Sequence, residues 1–522
     1  MRAWHPIGAV GAAAAALFNA NAAMMRDAYA GPPAEAQASP APAVQVSGQG
    51  SALHKPAVKA EWRGKQLVRA LDNAWNPVWS PDGKSIACIT LSGGTLGVSI
   101  LDIATGKITA IPPLQLQGKG VTATAGGHLP ILQWEPDGKA LFLATWGSIV
   151  RIDMTRESPM LAKYASLPEN WVPFSISLSP GGDRLVGAGR KQVGGMNDEA
   201  PSASQILLFD GSGKLLSTID GAWAPEWAPD GKRLYFATED ALCALTPAVG
   251  AKPETLLRAS EYAAVTGQSA TMKPNETVGW TLSPQTVFAD GAIVFATDGY
   301  FKQPVAGSPP DGEMVFWPKP QDKKTFRKIG ETACNPVGRW VIYLPVGARG
   351  HLLQVERNKD TATLIDPRTG ATKAVKLPQG ETTEKNASSL EYGNAFSAGE
   401  GSSRVRPLAV LCFNERARAG NAKAPASADD QMVQMIQQLA KEAEKSGDLS
   451  VMNRAFNGVM GLMTIDVENG QTHKITLDKA TAPPACVSFD PSGSLVVFTI
   501  AWRDPRNSSV WICDPSGSGV VE

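Results

Sequence analysis

Three aspartates stand in one recurring setting. Asp82, Asp137 and Asp230 each follow a proline, precede Gly-Lys and lie three residues after a tryptophan, in Trp79-Ser-Pro-Asp-Gly-Lys, Trp134-Glu-Pro-Asp-Gly-Lys and Trp227-Ala-Pro-Asp-Gly-Lys. A carboxylate presented this way could serve as a general acid or base. A catalytic group, however, has no need of three copies. The same residues are those a tight turn requires. Proline fixes φ at the second position, aspartate suits the third, and glycine takes the left-handed conformation that follows. The three aspartates are therefore expected to be turn residues.

Other chemistry has little support. The five histidines, His5, His54, His128, His351 and His473, are dispersed, and no His-x-x-x-His or His-Glu-x-x-His spacing occurs. The six cysteines, Cys88, Cys243, Cys334, Cys412, Cys486 and Cys513, form no Cys-x-x-Cys pair and sit in or beside strand-like runs. They read as small buried hydrophobes, with a disulfide open if the chain is exported. Neither a Gly-x-Ser-x-Gly elbow nor a phosphate-binding glycine loop is present. The expectation is thus no catalytic, cofactor-binding or metal-ligating residues and no cofactor. Equal numbers of basic and acidic residues, 49 of each, give no electrostatic footprint for nucleic acid.

The turn belongs to a longer unit. Relaxed to apolar-x-Pro-x-Gly, it recurs around Pro180, Pro336 and Pro491. A looser form keeps Asp290-Gly291 with Ala289 in place of proline, and the weakest copy is Ala398-Gly399. The apolar anchors two residues earlier are Trp79, Trp134, Leu178, Trp227, Val287, Cys334, Phe396 and Phe489. Successive copies lie 44 to 62 residues apart, with a single interval of 93. Setting aside an insertion at 416–458 brings that interval back to about 50, inside the range of a four-stranded blade with its loops. Each unit then reads strand, Pro-x-Gly turn, strand, loop, strand, x-Gly turn, strand. Thr105-Gly106, Thr369-Gly370 and Asn469-Gly470 supply the second kind of turn. The fold class expected is all-β, a β-propeller of about eight (seven to eight) four-stranded blades, with a helical insertion in the penultimate blade.

The Trp-x-Pro-Asp-Gly-Lys unit followed by alternating apolar residues resembles the WD-like β-propeller repeat of the TolB family. The resemblance runs from about Trp62 to the C-terminus, interrupted by the insertion. It implies the propeller fold, and it implies no one role, because such repeats serve many functions. Proteins of that family carry a small α/β domain before a six-bladed propeller. Here an Ala/Pro-rich stretch stands in that place, and the blades are more numerous.

The chain divides accordingly. Residues 1–22 read as a signal peptide, with Arg2, the apolar Ile7 to Phe18 and the small-x-small site Ala20-Asn21-Ala22. Residues 23–61 read as a disordered tether, and residues 62–522 as the propeller. Within the insertion, Met432, Met435, Ile436, Leu439 and Ala443 fall at helical spacing behind Ser427, an N-cap. That helix would pack on its own propeller, dock a partner or cover one end of the channel. Lys65 to Leu71 is expected to close the ring on the last blade, since an open propeller would leave an edge strand exposed.

Two functions fit. The first is an exported, non-enzymatic propeller, periplasmic or secreted and monomeric, that binds another protein or a cell-envelope component, without nucleic acid and without a transmembrane span. The alternative is a hydrolase or lyase with its site at the channel mouth, acting on a sugar or peptide. First-strand residues Asn76, Gln133 and Ser175 are the candidates to approach that channel.

Overall fold

A computed structural model describes the strands and tight turns between residues 68 and 513. Residues 1–67, 419–458 and 514–522 and a number of inter-strand segments lie outside the described residues. The chain separates into two compact units. One, residues 1–57 with 421–456, falls outside the description, so the expected signal, most of the tether and the insertion helix do as well. The other, Val58–Gly420 with Asn457–Glu522, holds every described strand.

Among the described residues the strands form eight antiparallel sheets. Blades 1 to 5 occupy residues 74–111, 131–166, 171–220, 222–258 and 278–332, and blades 6 and 7 occupy 334–376 and 382–477. Blade 8 combines three C-terminal strands, Pro484–Phe489, Val496–Ile500 and Ser509–Cys513, with an N-terminal one, Val68–Asp72. Each blade touches the next, and blade 8 touches blade 1, so the ring is closed.

The closure matches the expectation from Lys65 to Leu71. Val68–Asp72 pairs antiparallel with Ser509–Cys513, Val68 opposite Ile512 and Asp72 opposite Ser509. This removes the edge that Ser509–Cys513 would otherwise present.

Strand composition sets radial position. Middle strands are buried on both faces and read as continuous apolar runs, such as Ala140–Thr145 and Ala241–Leu245. Outer strands are wetter: Met160–Ser166 and Thr372–Lys376 are largely exposed, with lysines that blunt an edge. Apolar clusters fill the seams between blades, for example Trp75, Leu132 and Leu141 between blades 1 and 2.

Two blades depart from four strands. Blade 7 gains the two-residue strand Thr382–Thr383, and blade 6 gains Cys334–Asn335. The Pro336 turn itself lies outside the described residues. Its flanks pair, Asn335 with Arg339, and four longer strands follow. The Ala398-Gly399 turn is also outside the description, while its flanks Ser397 and Ala409 are paired.

One helix is described, Ala259–Thr266, between blades 4 and 5. The sequence reading did not anticipate it. Glu261 stands in its first turn and accepts a hydrogen bond from the Arg258 backbone N–H at 2.9 Å, satisfying a donor at the helix entry. Tyr262 and Ala263 are buried on the seam, and Tyr262 packs edge-on against Phe295 and Phe326.

Candidate functional site

The six described turns share one geometry. In each, the glycine N–H donates to the carbonyl three residues earlier, as in Gly83 to Ser80 at 2.9 Å, Gly138 to Glu135 at 2.8 Å and Gly291 to Phe288 at 2.9 Å. The turn glycines 83, 138, 182, 231, 291 and 493 have φ between 68° and 82°. The aspartates are committed to these turns. Asp82 accepts from the Ser80 hydroxyl at 2.7 Å and the Lys84 amide at 3.1 Å; Asp137 accepts from the Lys139 amide at 2.9 Å and its ammonium at 2.8 Å. Asp230 accepts from the Lys232 amide at 2.9 Å. The Lys139 ammonium and amide hold the Asp137 carboxyl below its usual range. At Asp82 partial burial works upward, but the Ser80 and Lys84 hydrogen bonds outweigh it and the net shift is down. A carboxylate held ionised and occupied is a poor proton shuttle near neutral pH.

The tryptophan has a separate task, which the turn chemistry did not reveal. Trp134 Nε1 donates to the Val78 carbonyl of blade 1 at 3.2 Å, and Trp227 Nε1 to the Ser177 carbonyl of blade 3 at 3.3 Å. Trp79 Nε1 does the same to Ser488 of blade 8 at 3.3 Å. Each acceptor lies one residue before the anchor of the preceding blade. Where the anchor is tryptophan it thus ties its blade to the previous one, across the closing seam as across two others.

The turns also nest. A Cβ on Gly83 would lie 3.1 Å from Pro491 Cδ, one on Gly138 3.7 Å from Pro81 Cδ, one on Gly182 3.4 Å from Pro136 Cδ and one on Gly231 3.5 Å from Pro180 Cδ. Each turn glycine faces the turn proline of the blade before it. One end of the propeller is therefore a chain of turn-on-turn contacts running from blade 8 through blade 4.

That chain breaks between blades 4 and 5. Val287 replaces the tryptophan, Ala289 replaces the proline, and Gly291 has nothing within 4 Å of its Cβ position. A cleft of about 440 Å³ opens there, bounded by both turns, Pro229-Asp230 and Ala289-Asp290-Gly291, and by Arg233, Tyr235, Glu254 and Lys323.

The first strands of the blades are innermost: those of blades 1 and 2, 2 and 3, 4 and 5, 7 and 8, and 8 and 1 touch one another directly. Asn76, Gln133 and Ser175 all lie on them, as expected. The structure adds that many of these strands are bulged. Register slips occur between Trp75 and Val78, between Trp223 and Glu226, and between Ala485 and Ser488. At the slips Asn76, Ala224 and Cys486 take φ of 52°, 50° and 50°, which is unusual for residues with a Cβ. All three sit three residues before the anchor. Bulges re-aim side chains and recur at sites. In blade 3 the bulge exposes Phe174 and Ser175, and the Arg190 guanidinium lies 5.7 Å from the Phe174 ring centre. Trp75 Nε1, Gln133 Oε1 and Trp171 Nε1, on three consecutive first strands, are buried without a hydrogen-bond partner. The positive φ values were illegible in the sequence, because none falls on glycine.

Cys88, Cys243, Cys486 and Cys513 are free, and burial raises the thiol pKa of Cys88, Cys243 and Cys486. Such thiols are poor nucleophiles. Among the described residues no group of three His, Cys, Asp or Glu could hold a metal ion, and no helix is long and apolar enough to cross a membrane.

The closed ring of four-stranded sheets, with its repeated Pro-x-Gly turns, defines a β-propeller repeat protein. More particularly, its repeats are similar to those of TolB-type propellers. No protein-family model matches the chain. The Tol-Pal system protein TolB of Francisella tularensis subsp. mediasiatica is 28% identical over 184 residues, covering 33% of this chain and 37% of that protein. TolB of F. tularensis subsp. tularensis strain WY96-3418 is 30% identical over 183 residues with the same coverage. The chain thus spans only about a third of these relatives' length. Among solved structures, an oligogalacturonate lyase from Vibrio parahaemolyticus covers 86% of this chain and 93% of its own at 13% identity, with a TM-score of 0.43. TolB from Acinetobacter baumannii covers 50% and 55% at 16% identity, with a TM-score of 0.25. Neither structural likeness carries an argument about function.

Proposed function

We propose that this chain is an exported, non-enzymatic β-propeller, periplasmic or secreted, that serves as a protein-interaction platform in the cell envelope. The observation that carries this reading is the asymmetry of the two ends. In antiparallel blades the first-to-second and third-to-fourth turns lie at one end, and the remaining connections at the other. At the first end the connections run from tight turns up to the ten residues of 398–407. At the second, the described strands end where longer segments begin: 192–203 and 419–458, each joining the second and third strands of a blade, and 112–130 between blades 1 and 2. Loops held on a rigid scaffold are where proteins place recognition. The longest of them joins Leu408–Arg418 to Val459–Asp466, strands paired up to Glu415 opposite Val459. Its Met-rich stripe suits an adaptable protein contact. The repeats' similarity to the Tol-Pal system protein TolB is consistent with an envelope setting.

The test replaces residues 416–458 by Asn-Gly, which can close the hairpin directly. In-cell cross-linking with mass spectrometry would compare this variant with the full chain. Loss of a specific protein partner on replacement is expected. Recovery of no protein partner by the full chain, together with turnover of a sugar or peptide substrate, would overturn the reading in favour of an enzyme.

A further inference from the structure

We infer that the cleft between blades 4 and 5 is a binding site for a neutral carbohydrate of one or two rings. The cleft exists because this seam lacks what fills the seams at Trp79, Trp134 and Trp227. Replacing the anchor by Val287 removes an indole, and Gly291, unlike the turn glycines 83, 138, 182 and 231, has no proline of the preceding turn within 4 Å of its Cβ position, although Pro229 is present there. The resulting space, about 440 Å³, is in the size range of small-ligand sites.

The chemistry of the walls selects the ligand. Five charged residues line the cleft, and each is already matched. Arg233 is paired with Glu254, and Lys323 with Glu261 at 2.7 Å. Asp290 is held by both terminal nitrogens of Arg368 at 2.6 and 3.1 Å, and Asp230 lies 3.9 Å from Lys232. No uncompensated charge favours an ion, and bringing one in would cost desolvation without a counter-charge. What the walls do offer is unused hydrogen-bonding capacity of both kinds. Carboxylates retain free lone pairs, the ammonium and guanidinium groups retain N–H donors, and Arg233 Nε is buried with no acceptor. A sugar hydroxyl donates to one and accepts from the other.

The site is separate from the loop-bearing end and does not depend on the protein-platform reading. The test measures binding of maltose, cellobiose and N,N′-diacetylchitobiose to the full chain by saturation-transfer NMR and calorimetry. Glucuronate, glucosamine and a blocked neutral tripeptide serve as comparisons. Binding of at least one neutral disaccharide is expected, with loss in Val287→Trp, which restores the anchor found at the filled seams. Arg233→Gln leaves the cleft open and is expected to weaken binding roughly tenfold, the effect of losing one hydrogen bond from a charged donor. If Val287→Trp proves unfolded by circular dichroism, Arg233→Gln decides alone. The inference is overturned if no neutral disaccharide binds or if a comparison compound binds more tightly. It is equally overturned if a folded Val287→Trp, or Arg233→Gln, binds as the unaltered chain does.

Discussion

Replacing Trp134 by phenylalanine isolates the bond that ties blade 2 to blade 1. The indole N–H reaches the Val78 carbonyl at 3.2 Å, and the side chain is 8% exposed, so the bond is largely screened from water. A neutral hydrogen bond contributes about 1 kcal/mol net, and a carbonyl left without its donor adds a comparable desolvation cost. The smaller phenyl ring also leaves unfilled space in the seam, adding up to about 1 kcal/mol. Trp134→Phe should therefore cost about 2–3 kcal/mol. For a propeller of this size the entropy of unfolding is close to 1 kcal/mol per kelvin, so the midpoint should fall by about 2–3 °C. Differential scanning calorimetry resolves such a shift. Trp227→Phe on its own seam should behave alike, and the two effects should add, because the sites are far apart. Trp79→Phe tests whether the closing seam obeys the same rule. A shift below about 0.5 °C in all three variants would refute the claim that the anchor acts between blades.

Three further outcomes follow from the geometry. Gly83→Ala should be clearly more destabilising than Gly291→Ala, since both force a side chain to positive φ at about 1–2 kcal/mol but only Gly83 meets Pro491, at 3.1 Å; urea titration ranks them. Removing residues 1–72 should leave Ser509–Cys513 as an open edge and promote association beyond that of the full chain, which light scattering would show. Acid should loosen the turns. Hydroxyl and amide donors from Thr105, Thr155 and Ser212 hold Asp102, Asp153 and Asp210 below the usual carboxylate range, and the Arg368 guanidinium does so for Asp290. A carboxyl depressed on folding stabilises the protein above its unfolded pKa and ceases to do so as pH falls through its folded value. Stability should thus be flat above about pH 5 and decline below about pH 4, and Asp290→Asn should make that decline shallower.

The turns were legible because their signal is local: Pro-Asp-Gly fixes three dihedrals in a row, whatever surrounds it. The number of units followed from spacing alone. The partners of the tryptophans were not legible, because Val78 lies 56 residues before Trp134 and Ser488 lies 409 residues after Trp79. Only a closed ring brings them together. The bulges at Asn76, Ala224 and Cys486 escaped because residue type gave no sign of a left-handed backbone. The helix Ala259–Thr266 was too short and too weakly patterned for periodicity to register. Val287 and Ala289 were visible as departures from the repeat, but a departure has meaning only once the two turns that flank the cleft are known to be neighbours.

The strand pair that closes the ring has a consequence for how the protein is made. Val68 and Ile512 are separated by nearly the whole chain, and the entropy of bringing such distant segments together is about 5 kcal/mol before any contact forms. Blades 1 to 7 draw their strands from neighbouring stretches and can assemble in the order of synthesis. The eighth cannot, because its outermost strand is the first made and its other three are the last. Closure must therefore wait for the C-terminal strand, and a chain lacking either end would keep an unpaired edge in that blade.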